Sequence, residues 1–229
     1  MIDSVKVVGA HGRVGSAIGT RLAERQLTDD EPTAALVLLC VPDRAIAEVA
    51  AAIEPGPWVA HVSGGTPLAV LDPHVRRFSL HPLQTFTLDR GPEQLDGAWA
   101  AATGETTEAL GVATWLAETL GLRPFELADE QRALYHAGAA IAANYLVTLR
   151  RAAGRLLAAS AVPPEALDPL LRRVIDNGFQ LTGPIERGDW ETVERHRAAI
   201  AGTAPELLES YDALARLTAR DTVSQGALA

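Results

Sequence analysis

Val5-Lys6-Val7-Val8-Gly9-Ala10-His11-Gly12-Arg13-Val14-Gly15 decides how this chain is read. The apolar run Val5 to Val8 has the composition of a buried strand. Three glycines follow at a spacing of three, and behind them the amphipathic run Ser16 to Gln26 reads as a helix. Strand, glycine turn and helix in that order aim backbone N–H groups and the positive end of a helix dipole at one place. Glycines also let an anion approach the main chain. Gly9, Ala10, His11, Gly12, Arg13, Val14 and Gly15 are therefore candidates for holding the phosphates of a dinucleotide. The same glycines would also serve simply to pack a helix tightly on a strand.

Working outward, Ala34 to Val41 is a continuous apolar run whose Val/Leu content fits a buried parallel strand, ended by Pro42-Asp43. Asp43 is placed to cap a helix over 44–53. Trp58 to Val62, Arg77 to Leu80, Trp99 to Thr103 and Arg123 to Leu127 read as further strands, with a short helix over 66–71 and a loop over 83–97. Thr106 to Leu120 reads as a helix stopped by Gly121. Alternating strands and helices imply a mostly parallel α/β sheet. From Ala128 onward everything reads as helix. Asp129, Asp168, Asp189 and Thr203 are expected N-caps, the last within the capping-box spacing Thr203-Ala204-Pro205-Glu206. The expected organisation is an α/β domain over 1–128 and an all-α domain over 129–229.

One element is conspicuously short. Only a brief acidic turn separates the first helix from the Ala34 strand, so the second strand usual in a dinucleotide fold is expected to be missing. An acid about 20 residues after the first glycine normally holds the adenosine ribose. Asp29 and Asp30 match that position, but no buried strand precedes them.

Composition narrows the function. The chain has 229 residues and a net charge of −9, which argues against a nucleic-acid or anionic-membrane binder. Lys6 is the only lysine and Cys40 the only cysteine. No intrachain disulfide and no cysteine metal cluster is possible, and the six histidines show no metal-binding spacing. No run is long enough to span a bilayer. With a strand starting near Met1 and no leader-like segment, the expected location is cytoplasmic.

Candidate chemistry gathers where strands end. Val41-Pro42 and Ser63-Gly64 each close a parallel strand and would border the same crevice as the glycine turn. His81 follows another strand and is a candidate acid or base. Tyr135, His136 and Asn144 interrupt an Ala-rich helix expected over 130–159. His136 and Asn144 would project within about 80° of each other, roughly 12 Å apart along an ideal helix. The near-absence of charge on this helix suggests that a partner chain packs on it.

The order GxxGRVG, VPD, HxSGG, HPLQTF, YHAGAAIAANYL and LTGPIERGD, followed by His196, resembles the Rossmann-like proteins that carry a C-terminal domain of unknown function. These belong to the 6-phosphogluconate dehydrogenase-like superfamily. The resemblance implies a Rossmann-like domain, a helical domain that dimerises, and an NAD(P)-dependent oxidoreductase acting on a small substrate. The glycine turn would hold the pyrophosphate, Val41, Pro42, Ser63 and Gly64 would border the nicotinamide, and His81, His136 and Asn144 would line the substrate side. The chain departs from the family in its shortened segment after the first helix, and from better-studied relatives in lacking a lysine on the long helix. That leaves a second reading, a non-catalytic descendant that binds a smaller anion, a mononucleotide or a partner protein.

Overall fold

The computed structural model describes residues 2–28 and 34–226. Asp29 and Asp30 lie outside the described residues. The chain divides into two compact units, Met1–Ala143 and Asn144–Ala229. The division falls past the boundary expected at 128, so the first unit also holds the start of the helical region.

The first unit is a six-stranded sheet in the order β1 (Val5–Val8), β2 (Leu36–Leu39), β3 (Trp58–His61), β4 (Arg77–Pro82), β5 (Trp99–Thr103) and β6 (Arg123–Glu126). β1 to β4 run parallel, β5 runs antiparallel to β4, and β6 follows β5. On the far side of β1 stands a single parallel bridge, Val5 with Thr28, in which the Val5 N–H donates to the Leu27 carbonyl at 2.7 Å. Among the described residues this bridge is what remains of the usual second strand.

Both faces of the sheet are covered, which is why the strands read as continuous apolar runs. Leu36, Leu38, Ala60, Phe78 and Leu80 pack under α1 (Arg13–Glu24) and α3 (Thr107–Leu120), through Ile18, Leu22, Leu116 and Leu120. Val37, Leu39 and Val59 face the other way, onto Ile46 and Ala50 of α2 (Ile46–Ala51) and onto Leu68 and Leu71. α3 is closed as expected. The Thr106 side chain accepts from the Ala109 N–H, and Gly121 ends the helix at φ +83°.

Several expected caps have other partners. Asp43 opens a 3-10 turn, Asp43–Ala45, and makes no capping bond. The Asp129 carboxylate accepts the N–H of Leu68 at 3.1 Å, tying the start of α4 (Arg132–Ala140) to the turn after β3. The expected helix over 66–71 is a 3-10 turn, Leu68–Leu71, and the expected loop over 83–97 contains another, Pro92–Leu95.

The second unit is helical: α5 (Leu146–Ala159), α6 (Leu167–Asp176), α7 (Trp190–Thr203) and α8 (Leu208–Gly226). The expected single helix over 130–159 is interrupted by a π-turn, Ile141–Tyr145. Asp189 caps α7 by accepting from the Thr192 N–H. Asp168 does not cap α6, which begins at Leu167; its carboxylate pairs with Arg150 at 2.8 Å instead. Thr203 is the last residue of α7, and Glu206 pairs with Arg155, so the expected capping box does not form. No described helix is long and apolar enough to cross a membrane.

Candidate functional site

Because β1 to β4 are parallel, their last residues all reach one edge of the sheet. The glycine turn leaves β1 there, Cys40-Val41-Pro42 leaves β2, Ser63-Gly64-Gly65 lies just past β3, and His81 sits at the end of β4. The sequence expectation that these segments share a crevice rests on this topology.

The three glycines have separate tasks. Gly9 has φ +92°, and a Cβ there would lie 2.4 Å from the Cys40 carbonyl oxygen. A Cβ on Gly15 would lie 2.2 Å from the Gly9 oxygen. These two let the turn nest against β2 and α1 against the turn. Gly12 is the exposed N-cap of α1, and its nearest contact for an added Cβ is 3.3 Å away. The first turn of α1 has no side-chain cap and no acidic residue. Its leading N–H groups have no intrahelical partner, and such a terminus suits a phosphate. His11 and Arg13 are exposed beside it. The residues present therefore fit the pyrophosphate of a nicotinamide dinucleotide.

At the other end of the edge, His81, Tyr135 and His136 come together. His81 Nδ1 and the Tyr135 hydroxyl are 2.8 Å apart and share a hydrogen bond. The His81 ring meets Tyr135 edge-on at 5.6 Å between centroids and His136 at 5.9 Å. Gly64 and Gly65 make room for them. A Cβ on Gly64 would lie 2.8 Å from His136 Cδ2 and 2.9 Å from His81 Nε2, and one on Gly65 2.9 Å from His136 Nδ1. The aromatic row continues outward, from Tyr135 to Phe125 at 5.9 Å and from Phe125 to Trp99 at 6.3 Å.

Burial pushes the His81 imidazole down to about 4, with His136 and Arg132 adding to the effect and Asp43 opposing it. Burial raises the Tyr135 phenol to about 12. At neutral pH the pair is an uncharged imidazole and an uncharged phenol. In one tautomer Tyr135 donates to Nδ1 and Nε2 carries the other proton. In the other, Nδ1 donates to the Tyr135 oxygen, and the hydroxyl turns its own proton outward. Either way the pair keeps one proton for a ligand.

Beneath this group lies a residue that sequence reasoning missed. Arg132, on the first turn of α4, is 1% exposed. Its guanidinium donates to Ser79 Oγ at 2.5 Å, to Thr103 Oγ1 at 3.0 Å and to the Ser63 carbonyl. Its Nε has no hydrogen-bond partner, and the nearest carboxylate oxygen, of Asp129, is 3.8 Å from it. An arginine one turn before Tyr135 and His136 reads in sequence as a solvated helix residue. The signal available was Ser79 and Thr103, two hydroxyls on neighbouring buried strands.

Ser63 serves the loop. It is buried, its hydroxyl donates to Thr66 Oγ1 at 2.8 Å, and its N–H donates to His61 Nδ1 at 3.2 Å. His61 is fully buried with Nε2 unpartnered, and burial with Arg132 nearby pushes it to about 3. Val41 packs on the core beside β2, while Pro42 is exposed. Asn144 opens the second unit within the π-turn, where its carbonyl accepts from the Thr148 hydroxyl at 3.2 Å. The π-turn also invalidates the ideal-helix angle expected between His136 and Asn144. No group of three His, Cys, Asp or Glu among the described residues is arranged to hold a metal ion.

A mostly parallel sheet with a glycine turn after its first strand, followed by a helical region, is a Rossmann-like fold. Residues 98–218 match the model of the family described as Domain of unknown function (DUF2520), and the chain belongs to that family. No curated protein matches the chain. Among solved structures, protein TM1727 from Thermotoga maritima is 25% identical, with 97% of this chain and 99% of that one covered at a TM-score of 0.79. BF3122 from Bacteroides fragilis, provisionally assigned as an NADP oxidoreductase, is 21% identical, with 96% and 100% covered at 0.79. A reductive aminase from Aspergillus terreus, in complex with NADPH and ethyl levulinate, is 16% identical, with 96% and 95% covered at 0.66.

Proposed function

We propose that this protein is an NAD(P)-dependent oxidoreductase acting on a small substrate. One observation carries the reading: an uncapped helix N-terminus at Gly12 and the neutral His81–Tyr135 pair, with His136 beside it, stand at the same carboxyl edge of one parallel sheet. The N–H groups of α1 bind the pyrophosphate, with Gly9 and Gly15 holding the turn in shape. Val41, Pro42, Ser63 and Gly64 border the nicotinamide, which when bound supplies a two-electron hydride donor or acceptor. His81, Tyr135 and His136 hold and release the proton that accompanies transfer. The neighbours provisionally assigned to NADP or solved with NADPH support the cofactor class. In this reading residues 1–128 hold the cofactor, and 129–229 contribute Tyr135 and His136 and the surface for assembly as a homodimer. Exposed Val147, Leu149, Leu170 and Ile175 on α5 and α6 are the apolar surface a second copy would cover.

Calorimetry with NADH and NADPH tests this. Saturable heat is expected with one or both, and none at millimolar cofactor overturns the reading. The single bridge at Thr28 favours one alternative, a smaller anionic ligand held by the glycine turn alone. Binding of a mononucleotide as tight as that of the dinucleotide would establish it.

A further inference from the structure

We propose that the buried Arg132 guanidinium makes this a site for a carbonyl oxygen that gains negative charge during reduction, and against an imine, which must be protonated to a cationic iminium before it accepts hydride. The inference deepens the oxidoreductase reading and rests on it.

Ser79 and His81 are two apart on β4 and so share one face of the sheet. The guanidinium bonded to Ser79 therefore lies one pleat below the His81 ring. Its other terminal nitrogen donates to the Ser63 carbonyl, directly before the Gly64 that touches both His81 and His136. Tyr135 and His136 lie one helical turn beyond Arg132, so one buried cation positions all three donors. Asp129 approaches from the Nε side, away from the two nitrogens that face the sheet and loop, and spends its carboxylate on the Leu68 N–H. Asp43 is exposed at the end of β2. Of these two charges, Arg132 acts on the His81 ring more strongly than Asp43 does, and His81 and Tyr135 are neutral donors.

The reaction balances on groups already named. A bound reduced nicotinamide would supply a hydride to the carbonyl carbon, and the C=O π pair would move to oxygen. The oxygen takes the proton held by the His81–Tyr135 pair, which is restored from solvent. Alcohol and oxidised nicotinamide are the products. An alkoxide forming there is stabilised by the cation beneath it, whereas an iminium is opposed by the same charge. Arg132 is a positioning residue, since it reaches the ligand only through Ser63, Ser79 and the helix.

The test uses the full chain. NADPH binding is measured first, so failure of the cofactor reading is seen separately. Isobutyrate and isopropylammonium, an anion and a cation of similar shape, are then titrated with and without NADP+, watching the His81 and His136 imidazole signals by NMR. The carboxylate is expected to bind at least about tenfold more tightly. In Arg132→Met that preference disappears and the His81 titration moves up toward its ordinary range; Arg132→Lys, which retains charge and guards against a folding defect, keeps the preference. With NADPH, short aldehydes and ketones are expected to be turned over faster than a preformed cyclic imine. Equal binding of the two ions, tighter binding of the ammonium, or faster imine reduction overturns the proposal. So does a protein that binds NADPH but leaves both substrate classes untouched.

Discussion

Replacing Gly9 with alanine separates the two tasks of the glycine turn. The new methyl would lie 2.4 Å from the Cys40 oxygen and 2.8 Å from its carbonyl carbon, at a residue with φ +92°. Both neighbours are backbone of the segment leaving a central strand, so neither can rotate away. The left-handed conformation costs about 1–2 kcal/mol for an L-residue, and forcing the backbones apart about 1–3 kcal/mol more. The sum, roughly 2–5 kcal/mol, is a large share of the ~5–15 kcal/mol that holds a typical domain together. At roughly 2–4 °C per kcal/mol for a chain of this size, the melting transition should fall by about 4–20 °C. Gly12→Ala is the control. Its φ is −75° and its nearest new contact is 3.3 Å, so melting should stay within about 3 °C of wild type, while NADPH binds more weakly. Thermal melts followed by circular dichroism, with calorimetric titration of NADPH, measure both. A Gly9→Ala protein that melts with wild type would refute the claim that this glycine is required for nesting.

Burial raises the Cys40 thiol to about 12, so a thiol reagent should label the native protein far more slowly than the denatured one; equal rates would contradict its placement. His81 and His61 are held neutral, at about 4 and about 3 against an ordinary 6.5. Unfolded chains take up protons that these two refuse, so the stability they confer is complete above pH 6.5 and is lost as pH falls from there toward 4 and 3. Urea midpoints measured across that range should drop with acidity, and less steeply in His81→Gln; parallel slopes would count against the assignment. Thr106→Ala removes the bond to the Ala109 N–H and should cost about 1 kcal/mol by urea denaturation, with cofactor affinity unchanged.

The elements whose signals are local were legible. Val5 to Val8, the Leu36–Leu39 strand, the Gly121 stop and the Asp189 cap all follow from neighbours in sequence. Misreadings came where a side chain had a better partner far along the chain. Asp129 is taken by Leu68, Asp168 by Arg150 and Glu206 by Arg155, and none of these pairings has a local signature. The π-turn at Ile141–Tyr145 contains neither glycine nor proline, so no residue type announced it. At the candidate site, His81 and His136 are legible as candidates from their positions after a strand and on an apolar helix. Their meeting depends on Arg132, which only tertiary contact identifies, because burial of a guanidinium requires three acceptors drawn from three separate strand segments.

The reversal of β5 brings Trp99 to the edge where the parallel strands end. There its indole is 52% exposed and joined through Phe125 and Tyr135 to His81 by edge contacts. The molecule thus carries its own optical reporter, an emitter at the rim coupled by contact to the group whose protonation and occupancy matter. Difference emission between wild type and Trp99→Phe can follow events at that edge without any attached dye.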